Sequence, residues 1–121
     1  LETMREAVLL VDRNDVAKLA NPAFETLAGR ARAELIGQPL TELLRDSVAD
    51  YPEITAAAVD HWRRNPPHAP MRREFDWRRP DGQVRRVMGV FTRLDIDGTP
   101  HVLAVYSDLT DQRDVERRIL D

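Results

Sequence analysis

REFDWRRPDGQVRRVMGVFTRLDIDGTPHVLAVYS, residues 73–107, is the stretch whose reading decides the fold. Over 73–79 the pattern alternates, with Phe75 and Trp77 on one face and Glu74, Asp76 and Arg78 on the other, the period of a strand with one wet side. Pro80-Asp81-Gly82 reads as a turn. A long strand over 83–94, a second turn over 95–98 carrying Asp-Gly, and an apolar strand over 101–107 complete an antiparallel meander. The last two strands are apolar on both sides: Met88 and Val90 against Val87 and Phe91, Leu103 and Val105 against Val102 and Ala104. A strand apolar on both faces must be covered on both. Helices from the middle of the chain supply one cover. The outer face, assigned to Val87, Phe91 and their neighbours, needs residues 1–5, the last helix or a partner chain, and a homodimer is expected.

Upstream of the meander, the apolar run 7–11 and the stretch 16–20 flank the turn-rich Asp12-Arg-Asn-Asp15, which predicts two strands joined by a tight turn. Asn21-Pro22 supplies an N-cap and a first-turn proline, and Gly29 a left-handed terminator, so a short helix lies between them. Residues 32–36 and 40–44 predict two more short helices. Over 52–65, Ile54, Ala58, Val59 and Trp62 fall on one side, predicting the longest helix, which Pro66-Pro67 ends. The chain closes on a helical pattern over 111–121.

Composition removes several function classes. With 121 residues the chain fits one domain, and 42% hydrophobic with 32% charged residues is a globular balance. The longest apolar runs, 7–11 and 102–106, are far shorter than the ~20 residues of a spanning helix, so no membrane contact is expected. A net charge of −3 leaves no basic field for a phosphate backbone, and nucleic acid is not an expected partner. The absence of cysteine excludes disulfides, thiolate nucleophiles, cysteine-held metal clusters and thioether-linked haem. There is no Gly-rich phosphate loop and no Gly-x-Ser-x-Gly elbow, so no catalysis is expected. Because residue 1 is Leu and the final helix looks cut in mid-course, the chain is expected to be a piece of a longer protein, and the lack of cysteine is compatible with the cytoplasmic setting expected for it.

The element order and several motifs resemble the Per-Arnt-Sim (PAS) sensor domain over nearly the whole chain. The matching residues are Val8-Leu-Leu-Val-Asp12, Asn21-Pro-Ala-Phe24, Glu34-Leu-Ile-Gly37, Arg79-Pro-Asp-Gly82 and Asp108-Leu-Thr110. The resemblance implies an α+β fold: a five-stranded antiparallel sheet, short helices on one face, and a C-terminal output helix. It also implies a core over 1–108, a signalling helix beginning over 109–121, and a pocket for a small ligand or cofactor. A covalently linked effector of histidine kinase or diguanylate cyclase type would read the signal. Light-oxygen-voltage members of the family use a reactive cysteine, which this chain lacks, so flavin adduct chemistry is excluded.

Ile36, Leu44, Val59, Trp62, Trp77, Met88 and Tyr106 are the candidate lining of such a pocket, although large apolar residues at strand and helix spacing are more often plain core. Tyr106 is the best polar anchor by residue type, since a buried hydroxyl wants a partner. Asp108 and Thr110 are the candidate coupling residues, against the simpler reading of an N-cap worth ~1 kcal/mol. His61 and His68 have no companion at metal-ligand spacing, so neither a metal site nor haem is expected. The resulting expectation is a sensory module regulating a linked effector through its last helix. The alternative is a ligand-free dimerisation scaffold of the same fold.

Overall fold

In the computed structural model, which describes residues 6–120, two strands lead: β1 (Ala7–Val11) and β2 (Ala17–Ala20). Four helices follow, α1 (Pro22–Ala28), α2 (Arg32–Leu35), α3 (Leu40–Leu44) and α4 (Tyr51–Arg64). The meander is β3 (Met71–Arg78), β4 (Val84–Ile96) and β5 (Thr99–Asp108), and α5 (Thr110–Leu120) ends the chain. The strands form one antiparallel sheet in the order β2-β1-β5-β4-β3, so the first strand joins the last at the sheet's centre. The β4–β5 turn is tighter than the 95–98 expected. Pairing runs to Ile96 and Thr99, and only Asp97 (φ 51°) and Gly98 (φ 78°) stay outside, both with the positive φ of a two-residue hairpin turn.

Asn21 joins α1 to the sheet. Its Oδ1 accepts the Phe24 N–H at 3.0 Å, as an N-cap should, and also the Val8 N–H at 2.9 Å. Its Nδ2 donates to the Glu6 carbonyl at 2.9 Å. One buried amide thus satisfies backbone groups of a helix start and a strand together. At the other end of α1, Gly29 (φ 67°) donates its N–H to the Glu25 carbonyl.

The sheet's helix-covered face carries the aromatic core. Trp77 and Phe24 are fully buried and meet edge to face at 5.7 Å, while Tyr106 lies 5.5–6.1 Å from the rings of Phe24, Phe75, Trp77 and Phe91. Such pairs add about 0.5–1.5 kcal/mol each beyond the area they bury. Gly89 makes room for them, because a Cβ there would stand 2.7 Å from the Phe91 ring and 3.1 Å from that of Phe75.

The expected assignment of Val87 and Phe91 to the outer face is corrected by the register. Phe75 pairs with Val87 and Met71 with Phe91, which puts both on the inward side with Trp77, and Val87 is fully buried. Met88, Val90, Leu103 and Val105 form the outer face, with Val8 and Leu10, and are half-buried. Where both sides of a strand are apolar, hydrophobicity carries no parity; the ladder to β3, whose faces do differ, decides it. Of the possible covers, residues 1–5 lie outside the described residues. The first turn of α5 is tied to β3 and β4 through Arg113 and Glu74, and Val115, Ile119 and Leu120 stay exposed.

Candidate functional site

Between α4 and the inward face of the sheet lies a cavity of about 520 Å³, within the range of small-molecule sites. Leu9 and Val11 come from β1, Ile54, Ala58 and Trp62 from α4, Phe91 from β4, Val102, Ala104 and Tyr106 from β5. Ala58 and Ala104 contribute only methyl groups to this wall and leave space that larger side chains would fill.

Polar groups enter this apolar wall from the β1–β2 turn, from α4 and from β4. Asp12 shapes the turn by accepting the N–H groups of Asn14 (2.8 Å) and Val16 (3.1 Å). Asp15, in the left-handed region at φ 62°, accepts hydrogen bonds from the hydroxyls of Thr41 and, at 2.9 Å, Tyr51. Burial first, and the Asp15 charge second, push the Tyr51 and Tyr106 phenols well above their ordinary pKa, so both are neutral donors. Tyr51 spends its proton on Asp15. The Tyr106 hydroxyl lines the cavity and makes no hydrogen bond among the described residues. From β4, Arg93 completes the lining, with its Nε buried and lacking an acceptor among the described residues.

Of the expected lining, the structure brings Val59, Trp62 and Tyr106 together at this cavity. Trp77 and Leu44 are fully buried in the core, and Ile36 packs against that core. Met88 points from the opposite face of the sheet, because its neighbours Val87 and Gly89 take the inward positions, and its assignment to the pocket is corrected accordingly. Asp15, Tyr51 and Arg93 join the lining beyond the residues expected from sequence. Arg93 carried a legible signal, a charge two residues beyond Phe91 on the same strand face; Asp15 and Tyr51 meet only through the tertiary fold.

His61 and His68 lie at and just beyond the far end of α4, while His101 is on β5 in the cavity lining. Trp62 Nε1–H donates to the Ala69 carbonyl at 2.8 Å, with His61 Nε2 at 3.2 Å from the same oxygen, and His68 Nδ1 lies 2.7 Å from the Arg93 carbonyl. Among the described residues no group of three or more His, Cys, Asp or Glu is disposed to hold a metal.

A second constellation joins β5 to α5. Asp108 Oδ1 accepts the N–H (3.0 Å) and hydroxyl (2.6 Å) of Thr110, while its Oδ2 accepts from Arg85 Nε at 2.7 Å. The Thr110 oxygen in turn accepts the Arg86 N–H at 2.8 Å, and the Arg86 carbonyl accepts the Leu109 N–H at 2.7 Å. Thr110 therefore stands in for the strand carbonyl that β5 no longer offers once it turns into a helix. This is more than the simple N-cap considered from sequence. Burial works against the Asp108 carboxylate, but the bonds from Arg85 and Thr110 outweigh it and hold its pKa below the ordinary value. One turn on, Arg113 reaches Glu74, which also receives Arg86.

A five-stranded antiparallel sheet with the order 2-1-5-4-3, helices over one face, a pocket beneath the longest helix and an Asp-x-Thr exit into a final helix define the PAS class of sensor fold. The chain belongs to the PAS domain family, whose profile matches residues 5–111. The signal transduction histidine-protein kinase AtoS of Escherichia coli (strain K12) is 26% identical over 98% of this chain, which spans 19% of that protein's length. Among solved structures, the PAS domain of a Colwellia psychrerythraea protein superposes with a TM-score of 0.75 at 18% identity, covering 91% of each chain. That of an HTR-like protein from Haloarcula marismortui gives 0.71 at 18% identity over 88% of this chain and 89% of that one. The PAS domain of nitrogen regulation protein NR(II) from Vibrio parahaemolyticus gives 0.66 at 16% identity over 89% and 93%. The chain is thus a sensory module of signal transduction.

Proposed function

We propose that this domain senses a small molecule in the cavity between α4 and the sheet and passes occupancy to a linked effector through α5. The observation carrying this reading is the cavity itself: apolar walls, a volume suited to a small ligand, the Tyr106 side chain in its lining, and a buried Arg93 Nε without an acceptor among the described residues. β5 supplies both Ala104 and Tyr106 at the cavity and Asp108 at the exit, so a displacement of that strand by a ligand reaches α5 directly. Residues 1–108 act as the sensory core and 109–121 as the start of the output helix, in a cytoplasmic protein. The likeness to AtoS favours an effector of histidine kinase type over a diguanylate cyclase.

The domain acts as a homodimer. The outer sheet face of Val8, Leu10, Val90, Leu103 and Val105 and the exposed Val115, Ile119 and Leu120 of α5 supply apolar surface for a second copy. The same surface supports the second reading, a ligand-free dimerisation scaffold. Releasing small molecules from the purified protein by heat and weighing them by mass spectrometry separates the two. A stoichiometric compound is the result expected; none in the protein from any growth condition favours the scaffold. Sedimentation at tens of micromolar should show a dimer, and a monomer throughout would remove the proposed association.

A further inference from the structure

We infer that the cavity takes an organic acid, a small molecule with an apolar body and one terminal carboxylate, and that Arg93 receives the carboxylate. This rests on the reading of the cavity as a ligand site and adds the chemical class of what fills it. Along β4 the inward positions run Arg85, Val87, Gly89, Phe91, Arg93. Two arginines bracket the apolar stretch, and they differ in one respect. Arg85 donates its Nε–H to Asp108 at 2.7 Å. Arg93 makes no ion pair and no side-chain hydrogen bond among the described residues, and its Nε is buried with no acceptor.

A guanidinium does not lose its proton inside a protein, so Arg93 cannot escape the burial by becoming neutral. A donor stripped of water and given no acceptor is an unmet interaction that the right ligand recovers. The acids of the cavity wall do not meet it: Asp12 is engaged by two backbone N–H groups and by Lys18, and Asp15 by Thr41 and Tyr51. No acceptor among the described residues meets it, and a bound ligand can supply one. A carboxylate offers two coplanar oxygens that match the Nε–Nη edge of the guanidinium, once a rotation about the terminal side-chain bonds turns that edge to the cavity. Leu9, Ile54, Ala58 and Phe91 leave the remainder of the ligand an apolar course, and the unspent Tyr106 hydroxyl offers one further donor. Arg93 is the one arginine of the lining that is not exposed, and one such cation suits a single negative charge, whereas a phosphate monoester carries nearly two and asks for more donors. At the rim, Arg13 and Arg63 are exposed, form no ion pair among the described residues, and draw anions toward the opening.

Octanoate, 1-octanol, octylammonium and monooctyl phosphate share one apolar body and differ in head group, and calorimetric titration of the purified domain with each is the test. On the native sequence octanoate should bind about 10- to 100-fold more tightly than octanol, the size of a charge-assisted hydrogen-bond pair, with octylammonium weakest. Arg93→Gln should bring octanoate down to octanol, and Arg93→Lys, which keeps the charge without the fork, should fall between; the Lys variant decides the matter if the Gln variant does not fold. Octanol binding as well as octanoate would overturn the carboxylate assignment and leave the cavity a ligand site. Tighter binding of octyl phosphate would move the assignment to phosphate esters. An octanoate preference unchanged in both variants would remove Arg93 from it. Failure of all four probes to shift the NMR signals of Trp62 and Tyr106 at millimolar concentration would overturn the ligand site and its chemistry together.

Discussion

Replacing Thr110 by Val keeps the side chain's shape and removes its oxygen, which isolates the junction between sheet and final helix. That oxygen donates to Asp108 at 2.6 Å and accepts the Arg86 N–H at 2.8 Å, so the substitution deletes one exposed bond and leaves a half-buried backbone donor without its partner. The exposed bond is worth about 0.5 kcal/mol and the stranded N–H about 1–2 kcal/mol, giving a loss of about 2 kcal/mol concentrated at the start of α5. The substitution falls outside the buried core, since Thr110 and Arg86 are half-buried and Asp108 exposed, whereas Trp77 and Phe24 are fully buried. Hydrogen exchange followed residue by residue should show the amides of α5 and of Arg86 opening roughly 30-fold more readily, with those of Val87, Phe91 and Tyr106 slowed or hastened far less. Thr110→Ser should restore protection because the hydroxyl returns. In the full-length protein the Val variant should lose its response to stimulus while remaining folded. If Thr110→Val protected α5 as well as Thr110→Ser, the hydroxyl would not be the junction, and the coupling argument would fail with it.

Gly89→Ala should destabilise the domain by about 1–3 kcal/mol, or some 3–10 °C in melting temperature, because the new methyl meets the Phe91 and Phe75 rings at the distances given above. Asn21→Ala strands the Phe24 and Val8 N–H groups and should cost about 2–4 kcal/mol by chemical denaturation, with Asn21→Asp recovering part of it through the retained acceptor. Glu74 is held below the ordinary carboxylate range by its bonds from Arg113 and Arg86, as Asp108 is by Arg85 and Thr110 against its burial. A depressed pKa adds stability above the unfolded value and loses it as pH falls through the folded one, so protection of α5 should hold from about pH 7 to 5 and decline below about pH 4. With haem supplied during expression the protein should show no Soret band, and a band abolished by His61→Ala or His68→Ala would refute that expectation.

Local chemistry made most of the fold legible. Asn21-Pro22 and Gly29 bounded α1, alternation around Phe75 and Trp77 marked β3, Asp-Gly marked the β4–β5 hairpin, and Asp108 and Thr110 stood where the chain leaves the sheet. Each of these signals acts over a few residues, through capping, side-chain alternation or positive φ, and so survives in a one-dimensional reading. What the tertiary structure alone decided concerns residues brought together across the fold. β4 is apolar on both sides, and only its pairing with β3 turned Val87 and Phe91 inward and Met88 outward. Asp15 meets Tyr51 across 36 positions of sequence, and Arg113 meets Glu74 across 39. The cavity is lined by Ala58 from α4 and Ala104 from β5 together, a meeting that neither segment specifies by itself. Sequence determined which elements form, because their causes are local; register and packing determined which side chains share a site, because those depend on partners distant along the chain.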